Sequence, residues 1–253
     1  MTDGIVDGYA HCGLTKFLPV DDLIACMKSA SVSRAVLVQH FGEYDNSYLA
    51  ETIRQHPGTF VAVGLIDPFQ QDWPHKVAGL VSLGFRGLRL KVEWLRTHMH
   101  VALAAAEAGL NLMIYLPDDM LGGVPLIRRL ARDASDRSVV VSHLGAPRVS
   151  DSTLVEGLEL LDLATESNIL VTLSGLSMYT PHPHLEMAGL VTTAIEQFGS
   201  GRVMWGSNFP VCLEAESYGD DLALILEGQW GLDDSAIADI IGGSSSRVWF
   251  DSP

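Results

Sequence analysis

Polar and ionisable side chains recur at the ends of apolar, strand-like runs in this chain, and their types suit acid–base chemistry on a small anionic molecule. The first run leads into Val6-Asp7-Gly8-Tyr9-Ala10-His11, with Tyr9 and His11 two residues apart. Side chains alternate along a strand, so these two share a face. The same alternation groups Val36, Val38 and His40; Gly87, Arg89 and Lys91; Val139, Val141 and His143; and Met204, Gly206 and Asn208. Tyr115 closes a further run. Imidazole titrates near neutral pH, which makes His11 and His143 candidate general bases. Arg89 and Lys91 suit the holding of a substrate anion and of a developing oxyanion. Tyr9 and Tyr115 are donors to a carbonyl or leaving oxygen, and Asn208 orients substrate or water. His40 and Tyr179 complete the expected substrate-binding set. A guanidinium keeps its charge, so an inward Arg89 needs either a wet pocket or an anionic partner, for which Glu93 is the candidate. Structural roles stay open for the others: a buried histidine satisfied in the core, or a tyrosine tied to backbone.

The elements that must position these groups form a regular series. Eight strand-like runs occur at Gly4–Tyr9, Ala35–Gln39, Phe60–Leu65, Gly87–Lys91, Asn111–Leu116, Val139–Ser142, Ile169–Ser174 and Val203–Trp205. Their centres recur every ~25–33 residues, the period of a βα unit. Helical spacing falls between them at Leu23, Ile24, Met27 and Ala30, at Val101, Ala104, Ala105 and Ala108, and at Leu154, Leu158, Leu161 and Ala164. Asp21 and Asp151 read as helix N-terminal residues and Gly109 as a C-terminal stop. The expected architecture is one (β/α)8 barrel, a TIM barrel, over residues 1–253, with its site at the C-terminal ends of the strands. A doubly wound sheet is the alternative, but no Gly-x-Gly-x-x-Gly or Walker loop follows any strand. The segment from Ile240 to Phe250 reads as a helix end, a glycine turn and a final apolar stretch.

The composition narrows the class. With 253 residues and 47% hydrophobic residues, the chain can bury one sizeable core. A net charge of -15 argues against nucleic-acid binding. No apolar run reaches the ~18 residues that a bilayer requires. Cys12, Cys26 and Cys212 are scattered, which suggests a reducing compartment and no disulfide framework. The N-terminus lacks the features of a signal peptide, so a cytoplasmic location is expected. The partner expected is a small molecule, with homo-oligomerisation left open. His182 and His184 lie in a Pro-rich stretch that reads as a loop rather than a ligand cluster. Phe17, Phe41, Trp94, Tyr179 and Phe209 are aromatic candidates for the rim of the mouth.

In order and spacing, several segments together resemble the amidohydrolase superfamily, in its amidohydrolase-2 branch. They are Ile5 to His11, Gly84-Phe85-Arg86-Gly87-Leu88-Arg89-Leu90, Val140-Val141-Ser142-His143-Leu144-Gly145, Leu173-Ser174-Gly175-Leu176, Arg202 to Pro210 and the tail from Gly243 to Phe250. The resemblance implies a (β/α)8 fold and hydrolysis or decarboxylation of small acids. It also implies metal ligands at the positions held here by Tyr9, His11, Tyr115, His143 and Asn208, where the family carries His, His, His, His and Asp. Only two strong ligands remain, whereas a catalytic zinc usually has three protein ligands plus water. The expectation is therefore no cofactor and no metal, the alternative being one divalent metal such as zinc with a carboxylated Lys91 as an extra ligand. Metal-free 2-pyrone-4,6-dicarboxylate lactonases of this branch share a tyrosine at the position of Tyr115 but keep the aspartate that Asn208 replaces. The leading functional expectation is a metal-independent lactonase acting on a carboxylated or phenolic lactone or ester. A non-hydrolytic decarboxylase, cyclase or isomerase, and a non-catalytic ligand-binding pseudoenzyme, stand beside it.

Overall fold

The computed structural model of the protein describes residues 4–116, 120–151 and 153–251. Its strands are β1 (Ile5–Ala10), β2 (Val32–Val38), β3 (Phe60–Leu65), β4 (Gly87–Lys91), β5 (Asn111–Tyr115), β6 (Val139–Val141), β7 (Arg148–Ser150), β8 (Thr153–Glu156), β9 (Ile169–Ser174) and β10 (Val203–Gly206). Eight of them form one parallel sheet in the order β1-β2-β3-β4-β5-β6-β9-β10. The α-helices are α1 (Val20–Ser29), α2 (Ser47–Gln55), α3 (Trp73–Ser82), α4 (Leu95–Glu107), α5 (Met120–Asp133), α6 (Ala188–Phe198), α7 (Asp220–Leu226) and α8 (Asp234–Ala238). The sheet closes into the expected (β/α)8 barrel where the ends of β1 and β10 meet. The Asn208 N–H donates to the Tyr9 carbonyl (2.8 Å), and the His11 N–H donates to the Phe209 carbonyl (2.7 Å). A Cβ at Gly206 would stand 2.6 Å from Tyr9 Cβ, so the two strands approach this closely only because position 206 has no side chain.

Local signals account for several elements. Asp21 and Asp22 sit in the first turn of α1, where the helix dipole favours negative charge. Pro74 opens α3, and Gly109 (φ +98°) follows α4 in a conformation that L residues rarely adopt. Two apolar layers result. Leu88, Leu90, Val139 and Val141 face the helices, whereas Val36, Val38, Val63, Met113, Val140, Leu170 and Met204 fill the barrel.

Four expectations are corrected. The stretch around Leu154, Leu158, Leu161 and Ala164 is not an α-helix. It is the antiparallel β7–β8 hairpin followed by a 3-10 segment, Leu158–Thr165. Asp151 (φ 48°) turns the hairpin instead of starting a helix. Gly157 (φ +139°) breaks the run where no helical residue fits, and a Cβ there would meet Pro147 at 2.9 Å. The tail contains no turn at its glycines. Asp239–Gly243 and Ser246–Phe250 are wide helical turns that carry Val248 and Trp249 into the barrel bottom. The Asn111 side-chain N–H ties this plug to β5 through the Val248 carbonyl (2.8 Å). The alternation assumed for Val139, Val141 and His143 also fails: Val140, not its neighbours, points inward. His143 reaches the mouth because the chain turns left-handed after β6, with φ 55° at His143 itself.

Candidate active site

A cavity of about 390 Å³ opens at the C-terminal ends of the strands, lined by His11, His40, Arg89, Lys91, Tyr115, His143 and Asn208 among others. Phe17 and Phe41 also line it. The alternation in β4 is as expected, with Arg89 and Lys91 on the inner face and Leu88 and Leu90 outside.

Arg89 is buried, 4% exposed. Its Nη1 donates to the Gln39 carbonyl (2.6 Å) and its Nη2 to the Tyr9 hydroxyl, while its Cζ sits 4.2 Å over the Phe41 ring centroid. The expected partner Glu93 pairs instead with Lys91 (3.7 Å), because it lies at the rim beside that longer side chain. No carboxylate among the described residues pairs with Arg89, and its Nε, also buried, has no hydrogen-bond partner there. Burial lowers its pKa, yet a guanidinium stays charged at any ordinary pH. A fixed positive charge therefore stands below the cavity without local neutralisation.

Two imidazoles flank it. His11 directs Nδ1 at the Val38 carbonyl (2.5 Å), and His143 directs Nδ1 at the Ser174 carbonyl (3.2 Å) and hydroxyl (2.9 Å). A carbonyl only accepts, so each ring carries its proton on Nδ1 and presents a bare Nε2. Burial, reinforced by the charge of Arg89, holds His11 well below the usual histidine range and pulls His143 down to about 3. Both rings are thus neutral at physiological pH. Behind His143, its own N–H donates to Thr172 Oγ1 (2.8 Å), which is 2.8 Å from Ser174 Oγ. The Gly175 backbone closes this side. A Cβ there would lie 2.9 Å from the Asn208 amide nitrogen and 3.0 Å from His143 Nδ1.

Tyr9 lies beneath the cavity, fully buried, its ring 4.5 Å from His143 and 5.1 Å from His11. Burial raises its pKa against the pull of Arg89, so the phenol is neutral. Its hydroxyl accepts from Arg89, which makes Tyr9 a support for the guanidinium more than a direct donor to a ligand. Asp7 fixes this strand end. Its carboxylate accepts from the backbone N–H of Tyr9 (3.1 Å), the Ser207 N–H and hydroxyl (2.9 and 2.5 Å) and the Tyr218 hydroxyl (2.8 Å). Burial still pushes Asp7 up to about 6.

The remaining expected residues divide. Tyr115 lines the cavity, its ring stacked on Phe41 at 5.5 Å. Asn208 turns its amide towards Met178 Sδ (3.6 Å). His40 stands at the rim, its ring 5.0 Å from Phe17. Tyr179 is outside the cavity lining and packs, half-buried, against the helix-facing core, yet burial raises its pKa and it lies close enough to Tyr115 and Tyr9 for them to raise it further. Phe209 is wholly buried against Tyr218, so it is core and not rim. Trp94 supports Phe41 edge-on at 5.7 Å. Lys16, Met178 and Val211 line the cavity from loops that carried no periodic signal. Gln39, Thr172 and Ser174 also support the site without standing at an expected position, although the polar pair Thr172 and Ser174, two residues apart in an apolar strand, marks one inward face.

The donor set at the mouth fits a divalent metal poorly. A buried guanidinium stands in the site, and the side chains lining the cavity with it are three imidazoles (His11, His40 and His143), the ammonium groups of Lys16 and Lys91, a phenol and an amide, with no carboxylate among them. Among the described residues, the one group of three His, Cys, Asp or Glu donors within ligating reach lies elsewhere, at His184, Glu216 and Asp221.

A family model described as amidohydrolase matches residues 3–250, and the chain belongs to the amidohydrolase family. L-fucono-1,5-lactonase of Burkholderia ambifaria is 27% identical over 209 residues, covering 79% of this chain and 72% of that protein. A putative 2-pyrone-4,6-dicarboxylic acid hydrolase from Pseudomonas putida superposes with a TM-score of 0.79 at 20% identity, over 98% of this chain and 97% of its own. An amidohydrolase from Burkholderia multivorans with bound zinc superposes with a TM-score of 0.79 at 17% identity, over 96% and 98%. The two structural likenesses are likenesses of fold.

Proposed function

We propose that the protein hydrolyses a small lactone or ester bearing a carboxylate or phenolate, without a metal at the barrel mouth. The observation that carries this reading is the uncompensated Arg89 guanidinium between two neutral imidazoles on one cavity. Arg89, held by Gln39 and Tyr9, faces the acyl oxygen and stabilises the oxyanion that forms there. Lys91 and Lys16, at the rim of the same cavity, hold the substrate's anionic group, with His40 beside them. His143 Nε2 takes a proton from water as the water oxygen bonds to the acyl carbon. The ring C–O bond then breaks, and the proton passes from His143 to the departing oxygen, giving a carboxylic acid and a hydroxyl. His11 is the second base within the same cavity, Tyr115 donates to the leaving oxygen, and Asn208 positions the water. Because the charge of Arg89 is one of the causes that depress His143, the oxyanion that forms against Arg89 makes that imidazole a stronger base as the water adds. The lactonase of Burkholderia ambifaria supports lactones as the first class to assay.

The test is pH-stat ring opening over a panel of five- and six-membered lactones with and without a carboxylate. Faster opening of the carboxylated members, each turnover placing one solvent oxygen in the product, is the expected result. Preference for neutral lactones, or a product formed without solvent oxygen, refutes it.

A further inference from the structure

A second cluster of chemistry-bearing side chains lies behind the cavity rim. His184 is fully buried, and its Nε2 stands 2.8 Å from Asp221 Oδ1 and 3.6 Å from Glu216 Oε1. The three donor atoms lie within 4.8 Å of one another. The Glu216 side chain is 4% exposed, and its Oε1, aimed at this imidazole, accepts no hydrogen bond among the described residues. His184 Nδ1 faces the Thr180 carbonyl (3.0 Å), the arrangement that fixes the tautomer of a metal-ligating histidine and leaves Nε2 as the ligand.

We propose that His184 Nε2, Asp221 Oδ1 and Glu216 Oε1 bind a divalent transition-metal ion, zinc by preference, which staples the loop after β9 to the loop after β10. Charge balance is the first argument. Two carboxylates, their side chains 4% and 10% exposed, face one imidazole away from water and leave negative charge poorly solvated. A dication held between them brings the cluster to neutrality. Geometry is the second. Ligands 2.0–2.2 Å from a tetrahedral zinc stand about 3.3–3.6 Å apart; the Glu216 contact at 3.6 Å has that spacing, and the Asp221 contact at 2.8 Å reaches it by opening about 0.5 Å. One imidazole with two carboxylates also suits zinc, with a fourth position for water. The position in the fold is the third. His184 follows the segment carrying Met178, and Glu216 follows the segment carrying Asn208 and Val211, all three of which line the cavity. The ion would hold both walls in register without touching substrate.

The experiment uses full-length, chelator-treated protein titrated with zinc chloride by calorimetry and thermal melting, with cobalt(II) chloride as the spectroscopic probe. One equivalent of zinc should bind, raising Tm. Glu216→Gln, which keeps the shape, should weaken zinc binding at least tenfold and remove the Tm shift. His143→Asn, at the barrel mouth, should leave both unchanged. No saturable binding, equal binding by Glu216→Gln, or loss of binding in His143→Asn each overturns the proposal.

Discussion

Replacing His143 with asparagine separates the chemistry of this side chain from its structural part. Asparagine offers an N–H towards the Ser174 carbonyl that Nδ1 now faces at 3.2 Å, and it tolerates φ 55° better than most residues. What it removes is the bare Nε2. Burial and the charge of Arg89 lower His143 from 6.5 to about 3. The unfolded chain takes up a proton here below pH ~6.5, whereas the folded protein does not until about pH 3, so this group's contribution to stability falls as pH falls through that window. Each pH unit below 6.5 costs about 1.4 kcal/mol, so the wild type loses about 2 kcal/mol at pH 5 relative to pH 8 on account of His143 alone. The variant lacks this loss. For a chain of this size the acid-induced fall in Tm between pH 8 and pH 5 should therefore be about 4–8 °C smaller in His143→Asn than in the wild type. Over the same preparations kcat/KM should drop by about 10²–10⁴, the usual worth of a general base. Thermal melts at both pH values, paired with lactone kinetics, make the test. Activity within tenfold of wild type, or an unchanged acid-induced fall in Tm, refutes the reasoning.

Other perturbations follow from the same geometry. Arg89→Met unpairs the Gln39 carbonyl and the Tyr9 hydroxyl at about 1–3 kcal/mol each, offset by no longer burying a charge. Its urea-unfolding stability should stay within about 2 kcal/mol of wild type while turnover of carboxylated lactones is lost; a collapse in stability would make Arg89 structural. Gly206→Ala forces a Cβ to 2.6 Å from Tyr9 Cβ and 2.8 Å from Tyr9 N at the barrel seam. It should destabilise by about 1–3 kcal/mol and lower kcat, whereas wild-type melting and kinetics would contradict the tight seam. In pH profiles, the acid limb of kcat/KM should lie well below 6.5. An acid limb near 6.5 would assign the general base to a group other than His143.

Much of the barrel is legible in the chain because strand length and apolar patterning decide it. Phe60–Leu65, Gly87–Lys91 and Ile169–Ser174 form strands over the residues expected. Convergence of His11, Arg89, Lys91, Tyr115, His143 and Asn208 on one cavity follows from placing polar residues at strand ends. The failures have local causes. Leucine spacing at 154–164 imitates a helix, but Gly157 at φ +139° dominates it. His143 enters the cavity through a left-handed turn, which strand alternation does not anticipate. His184 reads as a loop residue because Glu216 and Asp221 join it only through tertiary packing. Glu93 lies near Arg89 in sequence yet pairs with Lys91, because proximity in sequence says nothing about depth in the barrel.

The most direct test of the central claim is the rate of opening of the best carboxylated lactone, measured against added zinc after chelator treatment. The Glu216→Gln background removes the proposed staple, so that any metal dependence reports the barrel mouth. The account predicts a rate per chain that is the same with and without zinc and is abolished by His143→Asn. A rate near zero without zinc that rises in proportion to one equivalent would contradict it and place a metal among His11, His143 and their neighbours.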